Sequence, residues 1–132
     1  MPANQPSLYV SRLLPEPVMA AIHDRYRLVQ NPIDRQADES AMREGLQEAD
    51  AAIVTLRDCI DASMIQRAPK LKILANYAVG YNNIDLDAAT RRGLVVTNTP
   101  NVLTDATADL TWALLLATAR RLVEGDALVR SG

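Results

Sequence analysis

The sequence predicts an α/β protein with a flavodoxin-like, doubly wound, five-stranded parallel sheet, followed by one long helix. Five short apolar segments suited to buried strands alternate with four helical patterns between residues 8 and 97. Such alternation over short connections implies parallel strands with right-handed crossovers and helices on both faces of the sheet. Beyond residue 100 the alternation stops, and a long apolar stretch with a helical composition takes its place.

The five strand segments have the length and apolar content of buried parallel strands. The second of them leads into a predicted turn at Asn31-Pro32, because this dipeptide favours turns. The fourth precedes a loop that contains Gly80. The predicted strands cover residues 8–14, 27–29, 51–56, 70–75 and 94–97.

Each of the four helices between the strands has a start or a stop signal. Pro15 opens the first, since proline is tolerated in a first helical turn. Ser40 is the predicted cap of the second, in which Gly45 is a weak point. Pro69 ends the third, and Gly93 supplies the C-terminal cap of the fourth. The predicted helices cover residues 15–26, 40–48, 61–68 and 84–92.

The last segment is predicted to form one helix that begins at Thr104 and ends at Val123. Thr104 is its expected cap, acidic residues lie toward its start, and Arg120 and Arg121 lie at its end, all in the sense that the helix dipole favours. Apolar side chains fall on nearly every face of this helix. We therefore expect it to be buried all round.

Composition narrows the possible partners and location. The net charge is −2 and no cluster of lysine and arginine is present, which argues against nucleic acid or an acidic membrane surface as the main partner. One cysteine, Cys59, excludes an internal disulfide, and the first residues lack a signal peptide pattern, so a cytoplasmic location is expected. Asp109 interrupts the most apolar stretch, which argues against a membrane span.

The single histidine and the single cysteine are poor candidates for chemistry. His23 falls on the first predicted helix beside other polar residues and is expected to be an exposed structural residue. Cys59 has no second histidine with which to form a nucleophilic pair. A metal site is not expected, because the usual ligand sets need more histidine or cysteine than this chain has.

The loop around Gly80 is the best candidate binding site. Without a Cβ, Gly80 would let an oxyanion approach the backbone N–H groups of the loop, and the next helix N-terminus would add a favourable field. In open α/β sheets ligands lie at such carboxyl ends of strands. The alternative is that Gly80 only permits a sharp turn. Arg57, after the third strand, is either a partner for a substrate carboxylate or a solvated loop residue.

Two stretches carry a family resemblance. Residues 75–85 read Ala-Asn-Tyr-Ala-Val-Gly-Tyr-Asn-Asn-Ile-Asp, and residues 92–109 read Arg-Gly-Leu-Val-Val-Thr-Asn-Thr-Pro-Asn-Val-Leu-Thr-Asp-Ala-Thr-Ala-Asp. They resemble the NAD(P)-dependent D-2-hydroxyacid dehydrogenases, and within them the glyoxylate/hydroxypyruvate reductases. The resemblance implies that residues 1–99 form a flavodoxin-like substrate-binding domain. It implies that residues 100–132 form the crossover and first long helix of a Rossmann cofactor-binding domain.

The same resemblance implies an activity and a set of site residues. The reaction would be hydride transfer from NADH or NADPH to a short 2-oxo acid such as glyoxylate or hydroxypyruvate. Val79 and Gly80 would hold the substrate carboxylate through backbone N–H groups, Leu56 and Arg57 would border the substrate, and Thr107 would lie beside the cofactor. Dimers of the family form largely through the cofactor domain.

The chain also departs from the family pattern. The dinucleotide fingerprint Gly-x-Gly-x-x-Gly is missing, and the family's catalytic arginine, glutamate and histidine would lie beyond the last residue. We therefore expect a fragment, inactive by itself and without bound cofactor, that binds 2-oxo acids weakly. We expect it to form a homodimer through the helix from Thr104 to Val123, with a non-catalytic interaction or dimerisation module as the alternative function. The glycines of the chain are Gly45, Gly80, Gly93, Gly125 and Gly132.

Overall fold

A computed structural model describes residues 5–30 and 32–132. Asn31, half of the predicted turn, and residues 1–4, part of the N-terminal stretch without a signal peptide pattern, lie outside the described residues. The chain forms two compact units that divide between Pro100 and Asn101.

The first unit is built on a five-stranded parallel sheet with the strand order β2-β1-β3-β4-β5. This is the flavodoxin order, so the predicted fold class is confirmed. The strands are β1 Ser7–Val10, β2 Arg27–Leu28, β3 Ala51–Thr55, β4 Ile73–Tyr77 and β5 Val95–Thr97. The helices are α1 Glu16–Arg25, α2 Glu39–Glu48, α3 Ala62–Arg67 and α4 Leu86–Arg92.

The sheet is covered on both faces, and β1 shows how. Tyr9 faces the larger buried cluster, which includes Met42 and Leu46 of α2 and extends to α3 and α4. Leu8 and Val10 face the smaller cluster with α1. Successive side chains of a strand point to opposite faces, and both faces of β1 are buried. A continuous apolar run at this position is what a central parallel strand requires.

Several predicted boundaries were wrong for local reasons. Leu13 and Leu14 lie beyond β1, which ends at Val10. The cap of α2 is Asp38, not Ser40, because the Asp38 carboxylate accepts a hydrogen bond from the Ala41 N–H at 2.8 Å and starts the helix earlier.

The strand and helix around the candidate loop also differ from the prediction. β4 begins later than predicted and continues to Tyr77, two residues past the predicted end, because it pairs with β3 through Thr55. α4 begins at Leu86 with Asp85 as its cap, and Gly93 ends it with φ of 73°, as its predicted role requires.

Gly45 is a requirement of the packing and not a weak point. A Cβ on Gly45 would lie 2.2 Å from Cδ2 and 2.3 Å from Cε2 of Tyr9, whose side chain is buried. The absence of a side chain at this position lets α2 lie against the aromatic ring. The sequence shows the glycine but not the ring that it faces.

The second unit contains two helices, α5 Thr104–Ala119 and α6 Leu122–Ser131, where one helix was predicted. Arg121 adopts left-handed backbone angles (φ 51°, ψ 42°) and interrupts the helix. Thr104 does not cap α5: Leu103 occupies the cap position and no side chain caps it. Neither helix buries a residue. Within the described ranges, no helix is long and apolar enough to cross a membrane.

Candidate functional site

Two loops lie side by side at the carboxyl edge of the sheet. β3 and β4 are paired neighbours, with Thr55 opposite Tyr77, so the segments that follow them emerge at the same edge. The structure brings Leu56 of the first loop beside Gly80 of the second: a Cβ placed on Gly80 would lie 3.9 Å from the Leu56 Cδ1. The sequence-predicted residues Leu56, Arg57, Val79 and Gly80 therefore belong to one region.

The loop between β4 and α4 is held by its carbonyl groups. Three consecutive carbonyl oxygens accept hydrogen bonds from donors of the same unit. The Ala78 oxygen accepts from the Thr99 N–H (2.9 Å), the Val79 oxygen from the Asn98 Nδ2 (2.8 Å) and the Gly80 oxygen from the Asn76 Nδ2 (2.8 Å).

The N–H groups of this loop are left available. In the part of the chain that the structure describes, no group accepts a hydrogen bond from the N–H of Val79, Gly80 or Tyr81, and these three residues are exposed. With carbonyl oxygens of this loop bonded within the unit and these N–H groups free, residues 79–81 offer hydrogen-bond donors to an anion. A carboxylate is an anion of suitable size for such a group of donors.

Gly80 is not needed for the shape of the loop. It is not among the residues with a positive φ, and a Cβ at this position would meet only ordinary contacts, the nearest at 3.5 Å from the Asn82 Oδ1. The turn itself could therefore accept a side chain. A side chain would fill the gap between the loop and Leu56 to van der Waals contact.

The helix after the loop contributes less to the binding of an anion near Gly80 than the sequence indicated. α4 begins at Leu86, so residues 81–85 separate it from Gly80. The Asp85 carboxylate accepts a hydrogen bond from the Ala88 N–H at 2.8 Å and already caps the first turn. The donors nearest to a bound anion are therefore the loop N–H groups and not the helix end.

The loop after β3 is a tight turn from Thr55 to Asp58, closed by the hydrogen bond from the Asp58 N–H to the Thr55 oxygen at 3.0 Å. The Asp58 carboxylate, 1% exposed, accepts hydrogen bonds from the Thr55 N–H (2.7 Å), the Thr55 hydroxyl (2.9 Å) and the Ser11 hydroxyl (2.6 Å). These bonds compensate the burial of the charge. They leave Leu56 and Arg57 exposed at the tip of the turn.

Arg57 is the cation of this edge that is free to meet a ligand. Within the described ranges it makes no ion pair, whereas Arg12, which lies near it, pairs with Asp34 at 3.0 Å. Arg57, Leu56 and Tyr77 line a cavity of about 320 Å³ together with the loop after β1. That volume is enough for a small organic acid, and neither Val79 nor Gly80 lines this cavity.

Sequence reasoning missed two asparagines that join the loops. Asn76 lies on β4 and is 2% exposed. Its Nδ2 donates to the Gly80 oxygen at 2.8 Å and to the Asn83 Oδ1 at 3.1 Å. The Asn83 Nδ2 donates to the Thr55 and Asp58 oxygens at 3.1 and 3.0 Å. The predicted strand ended at residue 75, so both asparagines fell in the predicted loop, where an asparagine is common.

Three further residues were considered in the sequence: Thr107, His23 and Cys59. Thr107 lies in α5, where its carbonyl oxygen accepts a hydrogen bond from the Thr111 hydroxyl at 2.7 Å. His23 is exposed on α1, as expected, and Cys59 is an exposed free thiol. No group of three or more potential metal ligands occurs among the residues that the structure describes.

Comparison with known proteins places this geometry in context. Residues 8–124 match the family model described as the catalytic domain of D-isomer specific 2-hydroxyacid dehydrogenases. The chain is 48% identical over 128 residues to a glyoxylate reductase of Thermococcus litoralis and 46% identical over 128 residues to one of Pyrococcus horikoshii. Each alignment covers 97% of this chain but only 39% and 38% of the respective relative.

Solved structures agree with these matches. A protein of Thermus thermophilus is 42% identical, with a TM-score of 0.82 over 96% of this chain and 40% of its own. An NADPH-dependent glyoxylate/hydroxypyruvate reductase of Sinorhizobium meliloti, solved with NADP and malonate, is 29% identical with a TM-score of 0.74, over 98% of this chain and 39% of its own.

Proposed function

The chain belongs to the D-isomer specific 2-hydroxyacid dehydrogenase family, and from this membership we propose that it is the substrate-binding part of a glyoxylate reductase-type enzyme. The substrates would be short 2-oxo acids such as glyoxylate or hydroxypyruvate, reduced to 2-hydroxy acids with NADH or NADPH. The relatives named glyoxylate reductase support this choice of substrate. The single cysteine supports a cytoplasmic location.

One observation carries the proposal: residues 79–81 present N–H groups without an acceptor among the described residues, at the carboxyl edge of a flavodoxin-like sheet. In our proposal the N–H groups of Val79 and Gly80 bind the carboxylate of the 2-oxo acid. This arrangement needs no basic side chain, because hydrogen bonds from backbone N–H groups to a carboxylate are charge-assisted.

Leu56 and Arg57 would complete the substrate end of the site. Leu56 is 54% exposed and lies beside Gly80, so it can cover the apolar side of a small acid. Arg57 would add long-range attraction for an anion, since an unpaired cation at the edge of a cavity raises the local concentration of anions.

The cofactor does not fit this chain alone. The glycines are too far apart in sequence for the phosphate-binding fingerprint, and α5 follows a loop rather than a glycine-rich turn after a strand. We place Thr107 beside the nicotinamide cofactor only in the whole enzyme. The 132-residue chain alone would then have no reductase activity and no bound NAD or NADP.

An amide-shift titration of the ¹⁵N-labelled chain with oxalate, a stable mimic of glyoxylate, tests the site. We expect the amides of Val79, Gly80 and Leu56 to shift together, with a Kd no better than about millimolar, because a few hydrogen bonds in an open site give little net free energy. The amide of Gly93, at the far end of α4, is the internal control. Shifts confined to other regions would contradict the assignment.

The inactivity of the chain has its own test. With glyoxylate and either NADH or NADPH, we expect no loss of the cofactor absorbance above the background rate. Catalysis requires a cofactor, a proton donor and a bound substrate at one position. In our proposal this chain provides only the site that binds the substrate. Measurable oxidation of either cofactor by the purified chain would contradict this part of the proposal.

We also propose that the chain forms a homodimer through α5 and the residues that follow to Val123. Five large apolar side chains of α5 are more than half exposed, and their burial in a dimer would gain roughly 1.5–3 kcal/mol for each one fully covered. Light scattering at micromolar concentration should report a dimer, and a monomer would contradict the proposal. The five side chains are Leu110 (59%), Trp112 (61%), Leu114 (60%), Leu115 (53%) and Leu116 (54%).

A further inference from the structure

Asn83 lies in the loop between β4 and α4, and its side chain bonds to the turn after β3. Its Nδ2 donates to the carbonyl oxygens of Thr55 and Asp58, which are the first and last residues of the turn that carries Leu56 and Arg57. Its backbone oxygen accepts from the Ile60 N–H at 2.8 Å, so the main chain of Asn83 is also tied to the segment after that turn. One residue thus holds both ends of the turn.

Asn76 extends this connection to residues 79–81, whose N–H groups are free. Its Nδ2 donates to the Asn83 Oδ1 and to the Gly80 oxygen, and the Asn83 Nδ2 approaches the Asn76 Oδ1 at 3.4 Å. The two side-chain amides face each other, so the oxygen and the nitrogen of each side chain have hydrogen-bond partners. Asn76 is 2% exposed, and a buried amide with its partners present holds a defined geometry, because each unmade bond would cost free energy.

We propose that Asn83, together with Asn76, is a positioning residue that sets the separation between the Leu56–Arg57 turn and the N–H groups of Val79 and Gly80. This proposal rests on the proposed function, since the separation matters because one loop binds the carboxylate and the other covers the rest of the acid. Neither asparagine touches the substrate. Each acts by fixing backbone: Asn76 turns the Gly80 oxygen inward, and Asn83 holds the turn that carries Leu56.

A second side-chain hydrogen bond to the loop between β4 and α4 does not involve the Leu56–Arg57 turn. The Asn98 Nδ2 donates to the Val79 oxygen at 2.8 Å and makes no bond to the Leu56–Arg57 turn. Loss of Asn98 should therefore loosen one loop, whereas loss of Asn83 should loosen both. Asn82, next to Asn83 and exposed, makes no side-chain hydrogen bond within the described part of the chain and serves as the neutral control.

The experiment measures ¹⁵N order parameters of the ligand-free chain for Asn83→Ser, Asn98→Ser and Asn82→Ser. We expect values of about 0.8 at both loops in the parent chain. Asn83→Ser should lower both loops toward about 0.6, Asn98→Ser should lower only residues 79–80, and Asn82→Ser should change neither. A folded Asn83→Ser chain in which one loop or neither loosens would overturn the proposal.

Exchange of the side-chain amide protons tests the same proposal without any substitution. In the parent chain, the side-chain amide protons of Asn76 and Asn83 should exchange with solvent at least about tenfold more slowly than those of Asn82, because two net hydrogen bonds protect them. Equal exchange rates would overturn the proposal even if Asn83→Ser failed to fold.

The oxalate titration separates this proposal from the proposed function. Coupled loops in a chain that does not respond to oxalate at Val79 and Gly80 would support the positioning role and refute the binding site. A normal oxalate response with uncoupled loops would refute the positioning role alone. With both correct, Asn83→Ser should weaken oxalate binding about tenfold or more, as for the loss of one to two buried hydrogen bonds.

Discussion

Replacement of Gly80 by alanine separates the role of this residue in binding from its role in the fold. The backbone of Gly80 lies outside the positive-φ region, and the added Cβ would have its nearest neighbours at 3.5 Å (Asn82 Oδ1) and 3.9 Å (Leu56 Cδ1). Both are ordinary contact distances, so the methyl group can be accommodated. It would stand beside the N–H groups to which we assign the substrate carboxylate.

The magnitudes follow from this geometry. Alanine restricts the unfolded chain more than glycine does, so Gly80→Ala should leave the free energy of unfolding unchanged or raise it by about 0.4–1 kcal/mol. A carboxylate that is held away from one N–H group would lose a charge-assisted bond of about 1.5–3 kcal/mol. At about 1.4 kcal/mol for each factor of ten, the Kd for oxalate should rise about ten- to hundredfold.

Chemical denaturation and the amide-shift titration with oxalate measure the two quantities on the same sample. Gly93→Ala is the matched control, because Gly93 has φ of 73° and no atom within 4 Å of its added Cβ. That variant should lose about 1–2 kcal/mol of stability through the left-handed backbone while its Kd stays the same. A Gly80→Ala chain that binds oxalate as tightly as the parent would refute the reasoning, as would a chain that fails to fold.

Three predictions concern the packing and charges of the first unit. Gly45→Ala should cost about 1–3 kcal/mol because its Cβ would overlap the ring of Tyr9 at 2.2 Å, whereas Gly125→Ala, with no neighbour within 4 Å, should leave the thermal midpoint unchanged or higher. Burial and the nearby charge of Asp58 raise the pKa of Tyr9 to about 12. The free energy of unfolding should therefore fall as the pH rises from about 10 to 12. The Tyr9 hydroxyl is buried without a partner in the described part of the chain. Tyr9→Phe removes this hydroxyl and should abolish the fall in alkaline denaturation curves. Hydrogen bonds from Ser7 hold the pKa of Asp50 below its ordinary value, so its stabilisation should be complete above about pH 4 and lost as the pH falls through the folded pKa. Acid titration of the Asp50→Asn variant checks this direction. The variant should be less stable than the parent chain near pH 7, and the two stabilities should converge at low pH.

The sequence by itself determined the architecture of the first unit. Apolar runs alternating with helical patterns predicted five parallel strands, and the structure confirms them in the flavodoxin order. Signals that act within a few residues were read correctly where they were complete, as at Gly93. They failed where two capping residues competed, as at Asp38 and Ser40, and where an arginine adopted left-handed angles and divided the predicted helix at Arg121. No local sequence pattern predicts the left-handed backbone at Arg121.

Only the tertiary structure decided how the site is held together. The family motif pointed to Val79 and Gly80, but it did not show that their carbonyl oxygens bond to Asn98 and Asn76, or that their N–H groups have no acceptor among the described residues. Nor did it show that Asn83 joins the two loops. The bonds from Asn83 to the Leu56–Arg57 turn and from Asn98 to Val79 connect residues that strand pairing brings together, so these partners cannot be read from periodicity or spacing. Local sequence determines which elements form, and the packing of those elements determines which polar groups remain free to bind a ligand.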